Sequence, residues 1–191
     1  MTFEYLADTK AAEWLSQTGT SGERLILFGP AGYEAYARLR FIPDPERPGQ
    51  AEADVRLPPG HKSDIEQTRT ALRELSRFTE TPDECYFCVW EGYSDIRPQG
   101  ETFLTLPHRR YWVLRGTLTD LDDWENELGT GHPIAPPAFV WPVDRAWCFA
   151  SDVDPHWAGV GAAREAVEAL ASTPGIDVVT ARPEERQPVY W

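Results

Sequence analysis

Cys85-Tyr86-Phe87-Cys88-Val89-Trp90-Glu91 is the stretch on which the fold turns. Its cysteines have the CxxC spacing of half a zinc site or a redox pair. Its dense run of aromatics, thiols and valine reads instead as a buried strand. In a strand, residues three apart point to opposite faces, so the two thiols would not face a common ligand. A zinc knuckle needs a turn between its cysteines, and Tyr86-Phe87 is poor turn material. A redox pair wants its first cysteine at a helix N-terminus, and this run is extended. Only Cys148 and four scattered histidines could complete a tetrahedron. The thiols are therefore read as inert packing groups, and no metal or cofactor is expected.

Working outward, residues 110–114, centred on Tyr111-Trp112-Val113, and residues 146–151 carry the same strand signature. Residues 33–42 alternate, with Ala35, Ala37, Leu39 and Phe41 on one side and Tyr36, Arg38, Arg40 and Ile42 on the other. Residues 176–180 predict a last strand. Leu25-Ile26-Leu27-Phe28, ended by Gly29-Pro30, reads as a buried strand or turn entrance. Helical patterns cover residues 9–17, 63–78, 120–128 and 161–172. Ser63 and Glu66 form a capping box for the second, with Ile65, Thr68, Leu72, Leu75 and Phe78 as its inward stripe. For the third, Thr119 is the expected cap and Asp122 its partner. In the fourth, Val167 and Leu170 point inward. Residues 92–100 and 129–137 are turn regions. Residues 43–60, with five prolines, predict an irregular exposed loop. The strands at 85–91, 110–115 and 146–151 are joined by loops without long crossover helices, which favours antiparallel pairing. The expectation is one α+β domain over residues 1–191: a twisted, mainly antiparallel sheet packed by two or three helices.

The charge narrows the function. Among 191 residues, 31 acidic and 18 basic side chains leave a formal charge of −13 and a pI near 4.7. That charge repels phosphate backbones and anionic membrane surfaces, so neither nucleic acid nor membrane is an expected partner. It favours a basic protein. No apolar run reaches the length of a membrane span, and the first 13 residues have no apolar core of a secretory signal. Three cysteines are too few for a disulfide framework. These features predict a cytoplasmic protein. Eight tryptophans, eight phenylalanines and seven tyrosines are first of all core material.

Candidate chemistry is sparse. Asp152-Val153-Asp154-Pro155-His156-Trp157 follows a strand, where sites commonly lie. Asp152 and Asp154 project to the same side of an extended chain and suit a hard cation or an amine. His156 titrates near neutral pH. With Trp157, and Arg145 from the preceding segment, these are the candidate binding residues. The competing reading is a polar strand-end loop whose aspartates satisfy turn amides. Gly159-Val160-Gly161 suggests a helix start able to hold phosphate, but Arg164 replaces the third glycine of GxGxxG. The acidic run from Thr119 to Glu127 reads as a capped helix, or as a docking face for a basic partner. No nucleophile–base motif is present, so no catalytic residue is assigned.

Four segments carry a resemblance: Gly32-Tyr33-Glu34-Ala35-Tyr36-Ala37-Arg38; Cys85-Tyr86-Phe87-Cys88-Val89-Trp90-Glu91-Gly92-Tyr93; Leu106-Pro107-His108-Arg109-Arg110-Tyr111; and Trp141-Pro142-Val143-Asp144-Arg145-Ala146-Trp147-Cys148-Phe149-Ala150-Ser151-Asp152-Val153-Asp154. Together they resemble an uncharacterised family of actinobacterial cytosolic proteins. The resemblance implies a compartment and carries over no site residue. The mixed order of elements is loosely similar to small modules that bind and neutralise toxins, an analogy of architecture alone. The functional expectation is an acidic, non-enzymatic binding module, immunity-like or regulatory, that recognises a basic protein. The alternative is a small-ligand binder or enzyme with its pocket in the 152–161 loop.

Overall fold

The strand read at the CxxC run lies inside the sheet of the computed structural model. The structure describes residues 3–96, 100–107, 109–129, 131–132 and 134–191. Residues 97–99 of the first turn region, and Thr130 and Pro133 of the second, lie outside these. The strands are β1 (Glu4–Tyr5), β2 (Ala35–Arg40), β3 (Cys85–Trp90), β4 (Leu104–Leu106), β5 (Arg109–Gly116), β6 (Phe139–Pro142), β7 (Trp147–Ala150), β8 (Trp157–Ala162) and β9 (Val178–Ala181). The helices are α1 (Trp14–Gln17), α2 (Gly22–Phe28), α3 (Asp64–Leu75), α4 (Trp124–Leu128) and α5 (Arg164–Ala171). All strands join one sheet in the order β1-β5-β3-β6-β7-β8-β2-β9, with β4 beside β5. Every pairing is antiparallel. This is a single α+β domain.

Strand alternation sorts the aromatics into two cores. Cys85, Phe87 and Val89 of β3, with Trp112 and Leu114 of β5 and Trp147 and Phe149 of β7, face one side. There they meet Ile65, Leu72 and Leu75 of α3, Trp124 and Leu128 of α4, and Val167 and Leu170 of α5. Cys88, Tyr111, Val113, Phe139, Trp141 and Cys148 face the other side, against Ala12, Leu15 of α1 and Leu25 of α2. Cys85 and Cys88 thus lie on opposite faces of the sheet, as residues three apart in a strand must. The Ser63–Glu66 capping box opens α3 as read.

Several local readings change. Leu25 to Phe28 form the end of α2, stopped by Gly29 at φ 76°. Four apolar residues fit a buried strand or a buried helix turn equally, and periodicity alone does not separate them. The helix expected from Gly161 begins only at Arg164, because Trp157 to Ala162 form β8. Its glycines serve close packing: a Cβ on Gly159 would lie 2.1 Å from the Leu27 carbonyl oxygen, and one on Gly161 would lie 2.5 Å from the Tyr33 ring. The acidic run is a 3-10 segment, Leu118–Asp123, followed by α4. Its capping box uses Thr117 and Asp120, two residues earlier than expected. The helix at 9–17 is a 3-10 turn, Lys10–Ala12, and then α1. The proline-rich loop is not wholly exposed, since it buries Gln50 and carries Asp44 back against the sheet. Among the described residues no helix is long and apolar enough to cross a membrane.

Candidate functional site

The five residues singled out in the sequence do not converge. Arg145 precedes β7 and Asp152 follows it, so the strand holds them at opposite ends. Arg145 takes a left-handed turn conformation, φ 56°, with its guanidinium 4.9 Å from the Trp14 ring. Its carbonyl accepts from the Tyr33 hydroxyl at 3.1 Å. Asp144 caps the backbone of Glu80 and Ala146 and makes no pair with Arg145. Asp152 accepts from Arg109 Nε at 3.2 Å and Nη2 at 3.3 Å. Asp154 is largely exposed, 3.6 Å from the same Arg109. The two aspartates do share a cation, and it is a guanidinium of the protein itself. Among the described residues no three His, Cys, Asp or Glu are grouped to hold a metal ion.

His156 and Trp157 belong to a different, sheltered network around Asp44. Arg38 and Arg40 are two apart on β2 and so reach the same face. Arg38 grips Asp44 with both ends of its fork, at 2.7 and 3.0 Å. Arg40 donates to Asp44 at 3.0 Å and to Asp177 at 2.7 Å. His156 Nε2 lies 3.0 Å from Asp44 Oδ1. The Arg38 guanidinium stands 5.5 Å from the Trp157 ring, and Tyr190 packs edge-on to His156 at 4.7 Å. Burial would raise the Asp44 pKa, but the bonds from Arg38, His156 and Arg40 outweigh it and hold the carboxyl well below the usual range. For His156 burial wins over the carboxylate, and the imidazole pKa is lowered.

The sign of that shift gives a pH prediction. A histidine with a lowered folded pKa binds fewer protons folded than unfolded, so its share of stability is present above about pH 6.5 and is lost as pH falls towards the folded value. Asp44, also depressed, keeps its share until pH drops below about 3.9, the unfolded carboxyl value. Between pH 7.5 and 5 the midpoint of thermal unfolding is expected to fall, by about 2–4 °C for each kcal/mol lost. His156→Gln should flatten that interval. Equal slopes in the two proteins would rule out His156 as the origin.

A second feature was not read from the sequence. Between α2, the face of β2 that bears Arg38, and the chain after β9 lies a cleft of about 660 Å³. Five arginines line it, Arg24, Arg38, Arg164, Arg182 and Arg186, with Glu34, Glu184 and Glu185. An adjoining cleft of about 640 Å³ shares Arg24 and residues 183–187 and adds Leu27, Phe28, Trp157 and Val189. These arginines come from four parts of the chain, so no local motif announces them. The sequence signals are the use of arginine for nearly all positive charge and the Arg38 and Arg40 pair on one strand, which reads first as a partner for carboxylates and only second as an anion-binding sheet face.

The thiols offer no nucleophile. Cys85, Cys88 and Cys148 are buried and unpaired. Burial pushes Cys85 up to about 12 and raises the other two as well. Comparison with family models, with curated proteins and with solved structures returns no match.

Proposed function

We propose that the protein is a non-enzymatic binding module, immunity-like or regulatory, that recognises a basic protein through its acidic surface. One observation carries the reading: the groups suited to catalysis are occupied in structural partnerships. The thiols are sealed in the cores, His156 is buried against Asp44, and Asp152 is clamped by Arg109. The distribution of charge agrees with it. Arg38, Arg40, Arg69 and Arg109 are each less than a quarter exposed and paired with carboxylates. Four of the 18 positive charges are therefore withdrawn from the surface, while the 3-10 segment before α4 presents Asp123 to solvent, with Asp122 exposed beside Arg73 at 3.6 Å. Leu121 and Trp124 anchor that segment in the core, so its acids stand on a fixed support. A field of one sign speeds encounter with an oppositely charged partner, and salt screens it.

The test is affinity capture from the native host at 0.05 and 0.5 M salt, with the wild type and an Asp122→Lys/Asp123→Lys/Glu127→Lys variant as baits. The expected result is a basic protein, identified by mass spectrometry, retained by the wild type at low salt and lost with the variant. Retention of no basic protein, or equal retention by both baits, would overturn the proposal.

A further inference from the structure

We propose that the arginine-lined cleft beside β2 binds a small molecule through a phosphate group. This goes beyond the proposed function and uses none of the acids on which that reading rests. The cleft is a local reversal of sign: five arginines face three glutamates in a chain whose formal charge is −13. Two of the arginines are matched within it, and a third, Arg38, is matched by Asp44 outside it. Arg164 meets Glu34 at 3.0 Å and Arg182 meets Glu185 at 3.0 Å. Arg24 and Arg186 have no carboxylate within 4 Å among the described residues, and Glu184, with Glu23 of the adjoining cleft, is left to oppose them.

The floor carries the independent observation. Arg38 has a side chain only 8% exposed. Its Nε is buried without a hydrogen-bond partner, and so is the Nε of Arg24. A buried N–H with no acceptor is costly, so a shift of either side chain that opened its Nε to an anion in the cleft would recover a hydrogen bond; Arg40, outside the cleft, has an unpartnered Nε as well. Both guanidiniums are also braced. Arg24 stands 5.4 Å from the Tyr36 ring and Arg38 stands 5.5 Å from the Trp157 ring. Arg38 already commits both Nη atoms to Asp44, so the fork open to a tetrahedral oxyanion is that of Arg24, and a planar fork held in place recognises one better than a flexible ammonium group does.

Size and lining define the rest of the ligand. About 660 Å³ is in the range of small-molecule sites and far exceeds a lone phosphate. The adjoining cleft supplies Leu27, Phe28, Trp157 and Val189 next to the shared Arg24. A phosphate among the arginines would leave an organic moiety free to lie on that apolar side. A carboxylate brings one charge, whereas a phosphate brings nearly two and offers an oxygen to several forks at once.

Calorimetry and thermal shift at 0.15 M salt decide it. The probes are inorganic phosphate, pyrophosphate, ribose 5-phosphate and adenosine monophosphate, with ribose and adenosine as dephosphorylated counterparts. Phosphorylated probes are expected to raise the unfolding midpoint and to bind at least about tenfold more tightly than their counterparts. An Arg24→Gln/Arg186→Gln variant should lose at least that factor. Arg186→Glu, at an exposed position outside any helix or strand, should lose it too and guards against a folding defect in the double variant. Arg110→Gln/Arg115→Gln, outside the cleft, should bind as the wild type. Tighter binding of the esters identifies an organic phosphate, and equal binding of pyrophosphate identifies a free anion; both support the site. No preference for phosphorylated probes, or unchanged affinity in the cleft variants, overturns it. The capture experiment above uses none of these residues, so either proposal can fail while the other stands.

Discussion

Replacing Asp44 with alanine is expected to cost about 3–5 kcal/mol of folding stability, the usual range for stranding a buried charge. Asp44 serves Arg38, Arg40 and His156 together. Arg40 would keep Asp177, but Arg38 would keep no carboxylate within 4 Å, with its side chain 92% buried by complement of its 8% exposure. Desolvation of that guanidinium would then have no compensation. Asp177→Ala is the matched control. Its side chain is 48% exposed and Arg40 would retain Asp44, so a loss of about 0–1 kcal/mol is expected. Urea unfolding of the three proteins measures both differences. A cost below about 1 kcal/mol for Asp44→Ala would mean that water reaches Arg38 and that the network is not sheltered.

Gly159→Ala is the second large effect. The added Cβ would sit 2.1 Å from the Leu27 carbonyl oxygen and 2.7 Å from Phe28 Cα. Both are backbone atoms, so no rotamer change relieves the clash, and the end of α2 must lift from β8. Lifting it also disturbs Phe28, which packs 5.0 Å from Trp157. A cost at or above the top of the usual range of about 1–3 kcal/mol for overpacking is expected. At Gly161 the nearest atoms belong to the Tyr33 and Tyr36 rings, at 2.5 and 2.9 Å. Side chains can give way, so Gly161→Ala should cost less than Gly159→Ala. The reverse order in denaturant titrations would show that α2 is more loosely seated than the tyrosines.

The two glycines also mark where sequence reading stopped. Gly159-Val160-Gly161 looked like a helix entrance because glycine before a helical pattern often is one. In the fold they are strand residues without side chains because the end of α2 passes over Gly159 and the Tyr33 and Tyr36 rings cover Gly161. No nearby residue carries that information, since α2 lies some 130 positions earlier in the sequence. The candidate site failed to assemble for a related reason. Asp152, Asp154, His156, Trp157 and Arg145 are close in sequence, but the turns around β7 and β8 send them to different neighbours.

What the chain determined by itself was the set of relations that span a few residues. Alternation in β3 placed Cys85 and Cys88 on opposite faces, the Ser63–Glu66 pair opened α3, and the connections from β6 to β7 and from β7 to β8, which hold no helix, made those neighbours antiparallel. Each follows from local geometry, where side-chain direction is set by position along a strand or a helix turn. Tertiary structure alone decided which distant groups meet: Asp44 with His156, α2 with Gly159, and Arg24 with Arg186 across one cleft. Such meetings depend on how whole elements stack, and a chain of residue types contains no distance between them until the sheet has closed.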